Sequence, residues 1–358
     1  MLLRAFGFFL AASLSIACYA KTPSMQFRGT TQVSGTTARL QAISAVDRNV
    51  VWASGLEGTV LRTLDAGAHW SPIQVPNART LQFRDVHAFD SEHAFLLSAG
   101  DGEQSRIYRT TNGGRHWEMQ FMVSEPTGFL DCFDFWDPNR GLAYGDSVNG
   151  ELYILKTTDG GASWARIAPE TVPDAGRKEG GFAASGGCVQ TSEGGHAWIG
   201  TGAGGNARVL RTSDYGETWS VSETPIVKAK SAGIMSIVPT PKALFVFGGD
   251  LANAEASESR VASSTDRGVT WTQMPSPSFT GAIYGAATSG LGKRRVVVAL
   301  GPKGAAISND GAKSWSSLDG GDFWSVAFGA PARFWLVGPE GAIVRFDKPK
   351  TNENGPTR

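Results

Sequence analysis

"TTDGGASW", Thr157–Trp164, taken alone reads as a tight turn: a hydroxyl residue, an Asp, two glycines and a Trp. Its weight comes from repetition. Upstream stand "TLDAGAHW" (Thr63–Trp70) and "TTNGGRHW" (Thr110–Trp117). Downstream stand "TSDYGETW" (Thr212–Trp219), "STDRGVTW" (Ser264–Trp271) and a worn copy, "SNDGAKSW" (Ser308–Trp315). The third letters are Asp65, Asn112, Asp159, Asp214, Asp266 and Asp310, spaced by 47, 47, 55, 52 and 44 residues. Periods of this length mark an array of small units stacked on one another.

Each box sits in the same context. An apolar, alternating stretch such as "VHAFD" (Val86–Asp90) comes first, and a second such as "HAFLLSAG" (His93–Gly100) follows a turn. A third, such as "LYILKTT" (Leu152–Thr158), runs into the box, and a fourth follows the Trp. That pattern predicts four short strands per unit. "FWSVAFGAPARFWLVGPEGAIVRFD" (Phe323–Asp347) supplies three strands of a seventh unit, and "MQFRGTTQV" (Met25–Val33) is an orphan strand before the first. The economical arrangement is an all-β, seven-bladed β-propeller over residues 25–347, its last blade completed by the N-terminal strand. Closure of that kind leaves no open sheet edges to template aggregation.

The box then has a structural reading as the turn between strands three and four. The Asp accepts backbone N–H bonds within its own turn, and the Gly two residues on supplies a positive φ. Each Trp (Trp70, Trp117, Trp164, Trp219, Trp271, Trp315) buries a ring between blades. In the sixth box Ala312 stands where Gly is expected and Gly311 comes one place early, leaving that turn free to differ.

Composition agrees. Charged residues are 18% and Gly is 45 of 358, which suits short strands and tight turns. Lys+Arg and Asp+Glu are equal at 33 each, so no net field recruits nucleic acid. Residues 1–20 read as an export signal. Arg4 precedes a short apolar run, Ala5–Ile16, and cleavage after Ala20 leaves small residues at the cut. "SIAC" (Ser15–Cys18) also permits acylation at Cys18, which would make an envelope lipoprotein. Residues 348–358 read as a disordered tail. Cys132 and Cys188 both fall in first strands of neighbouring units, where a disulfide or two buried thiols fit equally.

With these boxes, the approach "G-x-x-x-R-T" and the export signal, the chain resembles the photosystem II stability/assembly factor family of Asp-box (bacterial neuraminidase repeat) propellers. "FAASGGC" (Phe182–Cys188) resembles an exported bacterial branch of it. The resemblance implies a non-catalytic propeller in the periplasm or thylakoid lumen, where the photosynthetic members bind an assembling reaction-centre protein. It implies a protein partner, and no cofactor.

In a propeller the loops after strands two and four share the face opposite the boxes. Three of these loops begin Gly-Asp, placing Asp101, Asp146 and Asp250 around the channel mouth. The longest link between units, Ala168–Gly181, carries Glu170, Asp174, Arg177 and Glu179. Long loops on one face read as a binding surface for a cationic segment or a glycan; otherwise each Gly-Asp is turn chemistry. Arg62, Arg109 and Arg211 precede boxes and read either as long stems covering blade edges or as an arginine patch for protein docking. The histidines show no metal-ligand spacing and no phosphate loop is present, so no metal is expected. The enzyme alternative is a sialidase-like glycoside hydrolase, since sialidases also carry such boxes. Asp101, Asp146 and Asp250 could then supply a carboxylate pair and Tyr284 a nucleophile. Against it, sialidases have six blades and an "F-R-I-P" motif, here "FRGT" (Phe27–Thr30).

Overall fold

The computed structural model describes residues 27–290, 295–318 and 321–349. The export signal, Cys18 and residues 350–358 of the tail lie outside them. Seven four-stranded antiparallel sheets are arrayed in sequence order. Six are formed by consecutive strands, and in each the first strand of the unit is innermost. Blade one, for example, runs Leu40–Ala45, Val51–Gly55, Val60–Thr63 and Ser71–Pro72. The seventh joins chain ends: Arg28–Gln32 pairs with Ile343–Asp347, Arg28 facing Asp347 and Gln32 facing Ile343. This closure replaces a covalent ring with a hydrogen-bonded one.

Second strands are mostly apolar and buried, because both faces pack against neighbouring blades. The hydrophobic clusters accordingly lie between blades. One joins Phe95, Leu97 and Ile107 of blade two to Phe133, Ala143, Leu155 and Trp164 of blade three. Outer strands are short and exposed, only two residues long in blades one, three and five.

The repeated turn has one geometry in all six copies. The opening hydroxyl accepts the N–H of the fifth residue, at 2.9 Å from Gly161 to Thr157 Oγ1. The carboxylate or amide Oδ1 at the third position accepts the N–H of the seventh, at 3.0 Å from Ser163 to Asp159. Asp159 Oδ2 also takes the Ser163 hydroxyl at 2.6 Å. The fourth and fifth residues both have positive φ, 73° and 77° at Gly160 and Gly161. At Gly161 a Cβ would also stand 2.5 Å from Phe95 Cε1, so the fifth position is a close approach between blades. The sixth turn does not differ. Gly311 and Ala312 take φ of 76° and 64°, and Ala312 N–H bonds Ser308 Oγ at 2.9 Å. The hydrogen-bond frame outweighs the roughly 1–2 kcal/mol that a left-handed alanine costs.

Asp159→Ala removes both acceptors of this frame. The expected result is a lower melting temperature with partner binding per folded molecule unchanged, read by calorimetry beside a binding assay. Selective loss of binding at full stability would give the turn a role beyond stapling.

Candidate functional site

The channel is crossed by its own chain. The segment 181–187, "GFAASGG", precedes the inner strand of blade four, Val189–Ser192, and lies across the axis. Arg84 of blade two donates from Nη1 to the Ala183 carbonyl at 3.2 Å. Ser185 Oγ donates to the Tyr284 carbonyl of blade six at 2.7 Å, and Ser325 of blade seven donates to the Ser185 carbonyl at 3.1 Å. Small residues are required for the passage: a Cβ on Gly186 would lie 2.2 Å from Asp85 Oδ1. This segment is a plug. Its Gly181–Ala184 part lines a cup of about 270 Å³ on the face opposite the repeated turns, and Ser185–Gly187 line a second, polar cavity of about 330 Å³.

Both ends of the plug are tied. Upstream, Glu179 is buried; its Oε1 accepts from Arg208 Nε at 2.9 Å and Thr201 Oγ1 at 2.5 Å. Its Oε2 accepts from Gly176 N at 2.6 Å and pairs with Arg208 Nη2. Downstream, Cys188 forms a disulfide with Cys132, with Cα atoms 5.8 Å apart. Cys132 lies in the inner strand Leu130–Asp137, whereas Cys188 ends the plug one residue before its strand begins.

β-Bulges shape the neck of the channel. Register shifts at Leu40/Ala42, Phe83/Asp85, Leu130/Cys132 and Ile234/Ser236 leave Gln41, Arg84, Asp131 and Met235 unpaired in their inner strands. A bulge re-aims the extra side chain, and here Arg84 and Asp131 line the cup. Sequence reading missed both. The signal available was a polar residue interrupting an apolar run, as in "FRD" and "LDC", which does not reveal a bulge. The rest of the wall is Phe129, Phe182, Tyr284, Trp324 and Leu251, the last 45% exposed. Arg39 lies over the Trp324 ring, 4.6 Å from its centroid.

The expected site residues separate into three groups. Asp146 lines the cup, where its Oδ1 accepts Gly181 N–H at 3.2 Å. Asp101 is exposed and near enough to bias Asp146 electrostatically. Asp250 caps its own turn, accepting Ala252 N–H at 3.0 Å, and its neighbour Leu251 reaches the cup instead. Glu170, Asp174 and Arg177 are exposed on the long link, and Glu179 is spent inside it. Tyr284 is in the cup, but burial and Asp322 hold its hydroxyl above the ordinary phenol range, which suits a wall better than a nucleophile. Arg62 and Arg109 lie over Trp52 and Phe95, their cross-strand partners, at 5.1 and 5.8 Å.

Burial, and then the neighbouring Asp146 charge, push the Asp131 carboxyl well above the usual range. Asp146 itself is pushed up to about 6 by burial, with Asp101 adding to it. The folded protein therefore binds these protons more tightly than the unfolded chain, and stability falls as pH rises from about 4 through 6. The turn aspartates act oppositely. The Ser163 hydroxyl and N–H hold Asp159 down to about 2, a contribution present above the normal carboxylate range and lost as pH falls through 2. The melting temperature is expected to peak near pH 4–5 and drop by about 2–5 °C towards pH 7.5. Asp146→Asn should flatten that decline in a calorimetric pH series.

The fold and its mouth define a class: a seven-bladed propeller with a plugged channel and an aromatic, ionisable cup. No protein-family model matches the chain. In overall fold it is similar to YCF48 bound to D1 peptide, with a TM-score of 0.61 and 18% identity over 90% of this chain and 97% of that one. YCF48 from Cyanidioschyzon merolae gives a TM-score of 0.61 at 18% identity, covering 89% and 98%. A catalytically inactive virginiamycin B lyase from Staphylococcus aureus, with quinupristin, gives 0.63 at 13% identity, covering 90% and 99%. Among curated proteins, Vacuolar protein sorting/targeting protein 10 of Pyricularia oryzae is 30% identical over 127 residues. That match spans 33% of this chain and only 8% of that protein's length. At these identities the likeness concerns the fold.

Proposed function

We propose that this protein is an exported, non-catalytic propeller whose cup docks a segment of a protein partner in the envelope or lumen, in an assembly or scaffold role. The observation that carries this reading is the cup itself. It pairs half-exposed aromatic and aliphatic side chains with ionisable groups, on a rigid rim opposite the stapled turns. Such mixed surfaces anchor protein segments, with aromatic residues dominating the contact energy. The fold likeness to YCF48, solved with a D1 peptide, supports the same use of a propeller. The Cys132–Cys188 disulfide supports export, because disulfides persist in oxidising compartments.

The test is co-purification of the tagged protein from its own cell envelope beside Leu251→Glu, a change at an exposed wall position. A defined partner retained by the parent and by Asp159→Ala, and lost with Leu251→Glu, is the expected outcome. No partner dependent on Leu251 would overturn the reading. The glycoside hydrolase reading draws on one observation, the mutually repelling Asp131 and Asp146. However, Asp131 is only 2% exposed and both lie on one side of the plug. Two carboxylates flanking a glycosidic bond need access from opposite sides. Release of reducing ends from envelope glycans, abolished by Asp146→Asn, would favour it.

A further inference from the structure

The cup's polar atoms are unevenly matched. Arg84 has each of its three nitrogens bonded once within the protein: Nε and Nη2 on Gln82 Oε1 at 3.1 and 2.5 Å, and Nη1 on Ala183. Arg39 is laid over Trp324, with Asp322 in its field. The acceptors are in surplus. Asp131 Oδ2 is buried without a well-formed hydrogen bond among the described residues, with only the Gly181 and Ala183 N–H groups and the Arg84 charge near enough to favour its ionised form, an arrangement that costs free energy unless a donor arrives. Asp146 beside it holds a single backbone N–H and stays half-buried, within reach of an incoming group. Four carboxylates, Asp101, Asp131, Asp146 and Asp322, stand in or around the cup against two guanidinium groups. Tyr144, buried behind them with its own hydroxyl unpartnered, adds no positive charge. The remaining wall is ring faces and edges, with Tyr284 packed edge-to-face on Trp324 at 4.9 Å. Aromatic faces attract desolvated cations and accept the apolar stem that carries them.

Resting on the docking reading above, we propose that the cup seats the side-chain ammonium of a lysine in an apolar stretch of the partner, contacting Asp146 with Asp131 as the buried charge behind it. The ammonium takes the place of the proton that burial otherwise favours on these carboxyl groups. Binding therefore releases a proton and strengthens as pH rises. A cavity of about 270 Å³ has room for a lysine stem and one flanking aliphatic group.

The experiment is titration calorimetry of the full-length mature protein with an acetylated, amidated pentapeptide, Ala-Leu-Lys-Leu-Ala. Two counterparts replace its lysine with Nε-acetyl-lysine or with glutamate. The expected result is roughly tenfold or greater preference for the lysine peptide, affinity higher near pH 7.5 than near pH 5, and a heat that depends on buffer ionisation enthalpy. Asp146→Asn should lose about tenfold in affinity, while its melting temperature holds or rises, which separates loss of the site from loss of fold. Equal binding of the acetyl-lysine peptide, unchanged binding by Asp146→Asn, or no binding of the lysine peptide at millimolar concentration would each overturn the proposal. Preference for the glutamate peptide, lost with Arg39→Ala, would overturn the lysine assignment and leave protein docking standing. Failure of docking itself shows separately, as absence of the Leu251-dependent partner.

Discussion

Glu179→Ala is expected to destabilise the protein by about 3–5 kcal/mol, the range for breaking a buried ion pair from one side. Glu179 has no exposed side-chain surface, and it answers Arg208, Thr201 and the Gly176 N–H at once. Removing it strands a largely buried guanidinium beside an empty acceptor position. The measurement is the chemical denaturation midpoint at constant slope. Replacing Glu179 and Arg208 together with apolar residues of similar volume should recover most of the loss, since the penalty belongs to the unpaired survivor. The plug would be affected first, because its upstream end runs directly from Glu179. A variant that kept its stability would mean that water solvates Arg208 in place of the carboxylate.

The second large effect concerns the other end of the plug. Removing the disulfide with Cys132→Ala and Cys188→Ala is expected to cost about 4 kcal/mol, from the unfolded-chain entropy of a loop closed over 56 residues. Reductant should move the parent's denaturation midpoint towards that of the variant and leave the variant's unchanged. The bond joins the inner strand of blade three to the plug, so its loss should also expose backbone amides of 181–187 to hydrogen exchange before those of the blades. Uniform exchange across all seven blades would place the plug in the same cooperative unit as the rest.

The two anchors show how far a linear reading reaches. Cys132 and Cys188 were visible as a possible pair, but a pair of buried thiols fitted the sequence as well. Deciding between them needed the distance between the inner strand of blade three and the end of the plug. Glu179 read, with Glu170, Asp174 and Arg177, as one charge of a long link open to a partner. Its partner Arg208 stands 29 residues on, at the start of the third strand of blade four. No local pattern connects them. Asp101, Asp146 and Asp250 share a Gly-Asp dipeptide at the close of a second strand or just past it, yet one is exposed, one lines the cup and one caps its turn. The loops that follow them differ in length and direction, and the local chemistry they share does not encode that.

By itself the sequence determined the architecture: the blade number, the strand order within each blade and the closure by the N-terminal strand. It could do so because these follow from local, periodic signals repeated often enough to outweigh any single worn copy, Ala312 included. Only the tertiary structure decided what occupies the axis. The plug, the bulges that aim Arg84 and Asp131, and the cup they form all depend on contacts between blades distant in the chain. Ser185 reaches Ser325 across 140 residues. Repetition specifies the blades; what meets at the centre is set by the geometry of closing the ring they form.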